Sequence, residues 1–168
     1  MRDRLRTVAL VHVDKTAQKI VITLQLATLE EFEAYRVYAD GDSSPDRTTR
    51  QDFERLLPDG LKTRNQHLLS LRAEDGAQVG FLWLTTMERT TGPKAFLLDF
   101  VIFPPFRRRG YAREGMDRLE GYVSSLALET ISLSVSQHNF AARTLYEALG
   151  YEPVFTRLTK QCKSRTER

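Results

Sequence analysis

The chain has 168 residues, 41% of them hydrophobic and 28% charged, with a formal net charge of +3, so it is long enough for one soluble domain with a full hydrophobic core. Its only cysteine, Cys162, excludes an internal disulfide framework, and no apolar stretch is long enough to cross a bilayer. The small positive excess does not by itself indicate nucleic-acid binding, and we expect a cytoplasmic protein.

The two ends of the chain and its histidines offer no motif for a binding site. Residues 1–18 are expected to form a leader or an extra strand, and residues 161–168 a basic tail. No two histidines have the spacing of metal ligands, so we expect no metal. These histidines are His12, His67 and His138.

The first part of the chain predicts one strand and two helices. Alternating, β-branched residues at 19–27 predict the strand. Residues 39–46, "ADGDSSPD", predict a loop between the helices through their Gly, Pro, Ser and Asp content. Both helices are predicted to begin at capping-box patterns, which are Thr28 with Glu31 and Thr48 with Gln51.

The rest of the chain alternates between strand and helix patterns. The elements are strands at 67–73, 79–87 and 94–103, a helix from Gly110, a strand at 131–136, a helix at 139–149 ended by Gly150, and a strand at 153–159. Hairpin-like turns between the first three of these strands favour antiparallel neighbours. The order β-α-α-β-β-β-α-β-α-β predicts one mixed α/β (α+β) domain.

The stretch "FRRRGYA" at 106–112 joins an apolar strand to the first turn of a helix. A helix N-terminus leaves backbone N–H groups unpaired and carries partial positive charge, which suits a phosphate. Gly110 lets the backbone approach a ligand closely, and Ala112 keeps the next turn small. The stretch matches neither a P-loop nor a dinucleotide fingerprint. It predicts an anion site, with a solvated basic loop as the alternative.

Polar residues also mark the last helix and the third of the three strands. Asn139, Arg143 and Tyr146 fall on one side of the helix, because seven residues turn an α-helix to within about 20° of the same azimuth. Asn139 is also a suitable N-cap and Tyr146 also fits the apolar stripe, so structural roles stay open. Asp99 lies inside an apolar strand, where a carboxylate is costly without partners or a purpose. It is a candidate functional group or a structural hydrogen-bond acceptor.

Two motifs together resemble a known family. The segment from Arg107 to Ala112 resembles the (Arg/Gln)-x-x-Gly-x-(Gly/Ala) loop of the GNAT superfamily of N-acetyltransferases, although Arg108 stands where glycine is often found. Downstream, "NFAARTLYEALGYEP" is similar to the family's second signature, an asparagine followed by Leu-Tyr and then Gly-Tyr or Gly-Phe. The resemblance implies a single GNAT-like domain at 19–160, with a mixed, mostly antiparallel central sheet flanked by helices.

The resemblance also implies a co-substrate and the residues that bind it. In the family the arginine–glycine loop holds the pyrophosphate of acetyl-CoA by its backbone amides, and the asparagine hydrogen-bonds along the pantetheine arm. The residues of this chain that are implied to bind acetyl-CoA are Val101, Ile102, Phe103, Arg107, Arg108, Arg109, Gly110, Tyr111, Ala112, Asn139 and Arg143.

The family's chemistry assigns expected roles to two side chains. An amine attacks the thioester carbonyl directly, and the tyrosine equivalent to Tyr146 lies near the sulfur of CoA and acts as general acid to the leaving thiolate. Asp99 is the first candidate to take the proton of the amine or to bind it, and His67 is the second candidate base. Proton removal through water stays open.

We therefore expect an acetyl-CoA-dependent N-acetyltransferase that acts in a ternary complex on a primary amine of a small molecule or peptide. The predicted loop at 39–46 offers acidic residues that suit a cationic acceptor, namely Asp40, Asp42 and Asp46. No specific nucleic acid and no membrane are expected as partners, and a homodimer is left open. The alternatives are a basic nucleic-acid-binding module and a CoA-binding sensor of the same fold without catalysis.

Overall fold

The computed structural model describes residues 20–41, 49–90 and 92–161. The predicted leader at 1–18, most of the predicted loop at 39–46 and nearly all of the basic tail at 161–168 lie outside these residues. The strands are β1 (Ile22–Leu26), β2 (Gln66–Ala73), β3 (Gln78–Met87), β4 (Lys94–Ile102) and β5 (Ile131–Leu133). The helices are α1 (Leu29–Gly41), α2 (Arg50–Leu56), α3 (Tyr111–Ser125) and α4 (Phe140–Ala148), with short 3₁₀ turns at Gly60–Lys62 and Pro104–Phe106.

The described strands form one sheet in the order β1-β2-β3-β4-β5. The first four pair antiparallel, as the hairpin-like turns predict for β2, β3 and β4, and β5 pairs parallel to β4. A parallel neighbour needs a long crossover, which α3 provides between β4 and β5. The prediction of a mixed, mostly antiparallel sheet flanked by helices is confirmed.

A bulge in β4 lies at the centre of the molecule. Trp83 pairs with Asp99 but the next residue of β3 pairs with Leu97, so Leu98 is an extra residue in β4. The pairing of β4 with β5 ends at the same level, with Leu97 opposite Leu133. Asp99 therefore lies just beyond the end of the β4–β5 ladder and next to a bulge. Bulges are common beside active sites, where they direct a side chain.

Each face of the sheet carries its own hydrophobic core. The core on the α3 face consists of Ile22, Leu69, Leu71, Val79, Leu82, Leu84, Ala95, Leu97, Met116, Leu119, Val123 and Leu128. The core on the face of α1 and α2 consists of Phe32, Tyr35, Ala39, Phe53, Leu57, Leu68, Phe81 and Trp83. Side chains of one strand alternate between these faces, so the two cores account for the nearly continuous burial of β2 and β3.

The capping predictions are half right. In α1, the Thr28 N–H donates to Glu31 Oε2 at 2.8 Å and the Glu31 N–H donates to Thr28 Oγ1 at 3.3 Å, which confirms the capping box. The second prediction is wrong by one residue: Thr49 caps α2, with Asp52 as its reciprocal partner, and Thr48 lies outside the described residues. The carboxylate of Asp52 makes stronger, charge-assisted bonds to the cap than the amide of Gln51 would.

Two predicted boundaries and one predicted strand are also wrong. Helix α1 continues to Gly41 instead of ending before 39, because Ala39 is buried against the aromatic core. Strand β5 stops at Leu133 instead of 136, where its partner strand bulges. Residues 152–161 form no regular structure, and their apolar side chains Val154, Phe155 and Leu158 are 71–91% exposed. The sequence predicts a strand at 153–159, but a strand needs a neighbour to pair with, and the described residues provide none.

Candidate active site

The arginine–glycine loop presents its backbone at the start of α3. Phe103 leads through the 3₁₀ turn to Arg107, and Gly110 is the N-cap of the helix with a left-handed φ of +84°. Since glycine has no side chain, no cap bond covers the first-turn amides of this 15-residue helix. These amides could hold an anion such as a phosphate group, and the missing Cβ leaves room for the Ile20 side chain, whose Cδ1 lies 2.6 Å from where a Cβ would stand.

The three arginines of the loop have different surroundings. Arg107 is bonded within the protein: its Nε donates to Ile102 O at 2.9 Å and its Nη2 donates to the Tyr38 hydroxyl at 2.6 Å. Arg108 and Arg109 are exposed, and the described residues offer them no hydrogen bond or ion pair. Arg107 thus fixes the loop against α1, whereas the other two are available to an anion.

The other candidate cofactor-binding residues lie just before and just after the loop. Val101 and Phe103 pack at the edge of the aromatic core, whereas Ile102 packs at the edge of the α3 core. Tyr111, in the first turn of α3, meets the Phe106 ring edge-on at 6.2 Å. The remaining candidate of the first turn, Ala112, is half-buried.

Two of the three polar candidates at α4 already make local bonds. Asn139 is the N-cap, with its Oδ1 accepting from the Ala142 N–H at 3.2 Å. Arg143 makes long bonds of 3.4 Å to the Gln137 carbonyl and to Glu147. The amide nitrogen of Asn139 has no partner in the described part of the chain, so it remains a donor for a ligand.

Tyr146 is held half-buried between the α3 core and Tyr151, whose ring centroid lies 5.6 Å from its own. Burial raises the pKa of Tyr146 to about 12, and the negative charge of Asp99 acts in the same direction. The hydroxyl therefore keeps its proton at neutral pH. Among the described residues it has no hydrogen-bond partner. The structure thus brings Tyr146 and Asp99, which are 47 positions apart, within electrostatic reach of each other.

Asp99 accepts a hydrogen bond at Oδ2 from the hydroxyl of Tyr35 on α1. The sequence does not reveal this contact, because Tyr35 fits the apolar stripe of its helix. The only signal is the hydroxyl itself, since a buried tyrosine needs a polar partner and a phenylalanine would not. Asp99 is half-buried and faces α1, on the side of the sheet that carries the aromatic core.

The second candidate base, His67, lies on the other face of the sheet. Its Nδ1 is 2.9 Å from the hydroxyl of Tyr122 on α3, and the two rings meet edge-on. Burial lowers the pKa of His67, which favours its neutral form. The structure therefore separates His67 from Asp99 by the thickness of the sheet.

Only one of the three acidic residues predicted for an acceptor site lies among the described residues. Asp40 is exposed in the last turn of α1, and Asp42 and Asp46 lie outside the described residues. Within 20–41, 49–90 and 92–161, no group of three or more His, Cys, Asp or Glu side chains could hold a metal ion. Over the same residues, no helix is both long enough and apolar enough to span a bilayer.

An antiparallel meander, followed by an arginine–glycine loop, a helix without a side-chain cap and then a parallel strand, is the arrangement of acetyl-group transferases of the GNAT type. The family model described as "Acetyltransferase (GNAT) family" matches residues 26–151. The chain belongs to this family, and it is an N-acetyltransferase.

Known relatives agree in sequence and in fold. YycN of Bacillus subtilis (strain 168), an N-acetyltransferase that is itself uncharacterised, is 30% identical over 155 residues that cover 84% of this chain and 99% of YycN. A crystal structure of YycN matches with a TM-score of 0.73 and covers 86% of this chain and 100% of its own. The aminoglycoside N-acetyltransferase AAC(6')-Iy in complex with CoA matches with a TM-score of 0.64 at 17% identity, covering 88% and 98% of the two chains. This last likeness concerns the fold alone.

Proposed function

We propose that the protein transfers the acetyl group of acetyl-CoA to a primary amine of a small molecule or peptide, by direct attack in a ternary complex. The observation that carries the proposal is the position of Tyr146 and Asp99, within electrostatic reach of each other where the β4–β5 ladder ends. The same strand, β4, leads within a few residues to the uncapped loop at Gly110. The proposal assigns the proton donor, the carboxylate and the phosphate cradle to one active site.

The residues present fit acetyl-CoA, which supplies an activated thioester when it is bound. The first-turn amides after Gly110 would hold its pyrophosphate, with Arg108 and Arg109 adding charge-assisted contacts. The backbone of Val101 to Phe103 would flank the pantetheine arm, and the amide nitrogen of Asn139 would donate to it. Arg107 would hold the loop against α1 instead of contacting phosphate, because its guanidinium already donates to Ile102 O and to the Tyr38 hydroxyl.

The proposed reaction needs one acceptor and one donor of protons. Asp99 takes a proton from the acceptor ammonium ion, and the freed amine forms the new C–N bond as the C–S bond breaks. The new amide nitrogen must still lose one proton, which passes to the departing sulfur. The electron pair of the C–S bond leaves with the sulfur, beside the Tyr146 hydroxyl. With a pKa of about 12 for Tyr146, complete proton transfer to a thiolate whose own pKa is near 8.5 is uphill by roughly 3–4 units. Tyr146 therefore acts mainly by hydrogen-bonding the developing thiolate.

The phosphate cradle is tested by replacing Gly110 with valine. A β-branched side chain at a φ of +84° is strained, and its Cβ would lie only 2.6 Å from Ile20 Cδ1, so it would distort the backbone that begins α3. Calorimetry should show the loss of acetyl-CoA binding while circular dichroism shows a folded protein. The control is Gly76→Val in the β2–β3 turn, where φ is +83° and nothing lies within 4 Å of the added Cβ; it carries the same backbone strain without the clash and should keep binding. Equal affinities in both variants would contradict the proposed cradle.

The acceptor is tested with a panel of amines and both substrates varied. Aminoglycosides belong in the panel because several structures with this fold are aminoglycoside acetyltransferases, together with polyamines and peptides with a free amino terminus. A ternary complex predicts intersecting lines in double-reciprocal plots, whereas a covalent acetyl-enzyme would give parallel lines. Binding of acetyl-CoA without turnover of any amine would favour the sensor of the same fold.

A further inference from the structure

Tyr35 is the most tightly fixed polar side chain near the proposed site. It lies on α1 and is only 1% exposed. Its ring stacks on Phe81 with centroids 4.2 Å apart and planes 6° apart, and it meets Phe53 edge-on at 5.6 Å. Contacts on the face and on the edge leave the ring a single position. The place of its hydroxyl is therefore set by packing.

That hydroxyl donates to one carboxylate oxygen of Asp99. Asp99 sits beyond the end of the β4–β5 ladder, at the bulge of β4, where neighbouring backbone constrains it less than within a regular ladder. The hydrogen bond from a fixed donor limits rotation of the carboxylate about its side-chain torsions.

We propose that Tyr35 is a positioning residue of the acetyl transfer, holding the Asp99 carboxylate in the orientation in which it takes the proton of the acceptor amine. This inference rests on the proposed role of Asp99 as the base. Tyr35 itself touches neither the amine nor the thioester, and it acts through Asp99. A tyrosine is required at this position, because phenylalanine fills the same space without a donor.

The decisive variant is Tyr35→Phe, which keeps the ring and removes the hydrogen bond. Because a hydrogen bond to a charged group is lost, kcat should fall about 10-fold or more, with the KM for acetyl-CoA unchanged. The acidic limb of the pH–rate profile should also move, because that limb reports the base to which the Tyr35 hydroxyl donates. A purely structural role would lower stability but would leave that limb in place.

Tyr122→Phe is the matched control. It makes the same substitution at a half-buried hydroxyl that contacts His67 on the opposite face of the sheet. It should leave kcat and the acidic limb at the wild-type values. If it moved the limb and Tyr35→Phe did not, the base would lie on the His67 side and the inference would be overturned.

Asp99→Asn separates failure of the inference from failure of the proposed base. If Asp99→Asn lowers kcat and abolishes the acidic limb, Asp99 is the base, and Tyr35→Phe should then have no further effect on kcat in the double variant. Additive effects, or a Tyr35→Phe enzyme with wild-type kcat and limb, would overturn the inference and leave the base intact. An Asp99→Asn enzyme that keeps its limb and only raises the KM for the amine would refute the base itself, and with it the inference.

A second replacement covers the case in which Tyr35→Phe does not fold. Substituting 3,5-difluorotyrosine at Tyr35 keeps the hydroxyl and nearly the same ring, but makes the hydroxyl a stronger donor. The acidic limb should then move in the direction opposite to the one measured for Tyr35→Phe. A fluorinated protein that is folded and active with an unmoved limb would also overturn the inference.

Discussion

At the scale of single residues, Tyr146 matters because its surroundings keep it protonated. Burial, reinforced by the charge of Asp99, raises its pKa to about 12. A phenol in this state donates a hydrogen bond over the whole working range of pH without ionising. Its ring is meanwhile fixed against Tyr151 and the α3 core, so the direction of the donor is fixed as well.

We predict that Tyr146→Phe lowers kcat by about 10²- to 10³-fold, the typical cost of losing one donor to a developing negative charge. Since the ring and its packing are kept, the melting temperature and the affinity for acetyl-CoA should change little. The measurement is single-turnover kinetics, which isolates the chemical step from product release. As a control, Tyr151→Phe removes a hydroxyl next to Tyr146 that has no hydrogen-bond partner among the described residues, and it should keep most of the activity. An unchanged single-turnover rate in Tyr146→Phe would make Tyr146 a packing residue.

The sequence predicts some residues of the site and misses others, for a physical reason. The family-like motifs identify Gly110, Asn139 and Tyr146, because each stands at a fixed offset within a local signature. Tyr35 contacts Asp99 across 64 positions, and no local pattern encodes such a distance. The three arginines look equivalent in the sequence, but only the fold shows that Arg107 is bonded to Tyr38.

Arg108 shows how one substitution in a motif changes what the backbone must do. The structure gives it a left-handed φ of +60°, the conformation for which glycine is suited and which resembling loops often provide with glycine. An arginine there stores strain of order 1 kcal/mol or more. The chain therefore keeps this arginine at a cost in stability, which is consistent with its use of the charge.

At the scale of elements, strand β2 and helix α3 are linked by the His67–Tyr122 contact. Tyr122 donates or accepts at His67 Nδ1 over 2.9 Å, depending on the tautomer. Burial lowers the pKa of His67 from its ordinary value of 6.5. The folded state therefore resists protonation of this ring more than the unfolded state does. Above pH 6.5 both states are neutral and the histidine contributes no pH dependence.

We predict that the free energy of unfolding falls as the pH is lowered from 7.5 to 5.5, and that His67→Gln reduces this fall. The unfolded chain binds a proton near pH 6.5 that the folded chain binds only at lower pH, so acid favours unfolding. Urea titrations at each pH measure the effect. The control is His138→Gln, an exposed histidine that should follow the wild type. Parallel pH curves for His67→Gln and the wild type would show that His67 does not govern this range.

The elements themselves are predictable to different degrees. Strands β2, β3 and β4 follow from apolar runs separated by turns, and α3 and α4 follow from helical periodicity and a glycine at the loop or the end. The segment at 153–159 is also predicted as a strand, yet it forms none. Whether a segment forms a strand depends on a neighbouring strand to pair with, and the sequence of one segment does not show whether that neighbour exists. Predicted helix boundaries are wrong where the burial of a single residue, such as Ala39, extends the helix by a turn.

At the scale of the whole molecule, the distribution of charge decides between an acetyl-CoA site and a nucleic-acid surface. The net charge is only +3. In the loop, Arg107 is already bonded within the protein, which leaves Arg108 and Arg109 for phosphates. Two exposed arginines beside an uncapped helix match one pyrophosphate. They are too few to follow the backbone of a long nucleic acid.

We predict that single-stranded oligonucleotides bind weakly and through charge alone. For two or three phosphate contacts, raising the salt from 50 to 200 mM should weaken association about 7- to 20-fold. Acetyl-CoA should lose much less affinity over the same range, because backbone amides and the pantetheine slot also contribute to its binding. Fluorescence anisotropy of a labelled oligonucleotide and calorimetry of acetyl-CoA, at both salt concentrations, make the comparison.

The variant Arg108→Ala/Arg109→Ala removes the two available charges without touching the amides. It should abolish oligonucleotide association at low salt, and it should weaken acetyl-CoA binding without eliminating it. Arg64→Ala, at an exposed arginine in the turn before β2, is the charge-matched control and should change neither. An oligonucleotide complex that persists at 200 mM salt and survives the double substitution would place a nucleic-acid site elsewhere on the protein. Such a result would show that the arginine loop does not bind the oligonucleotide, and it would favour the alternative of a nucleic-acid-binding module.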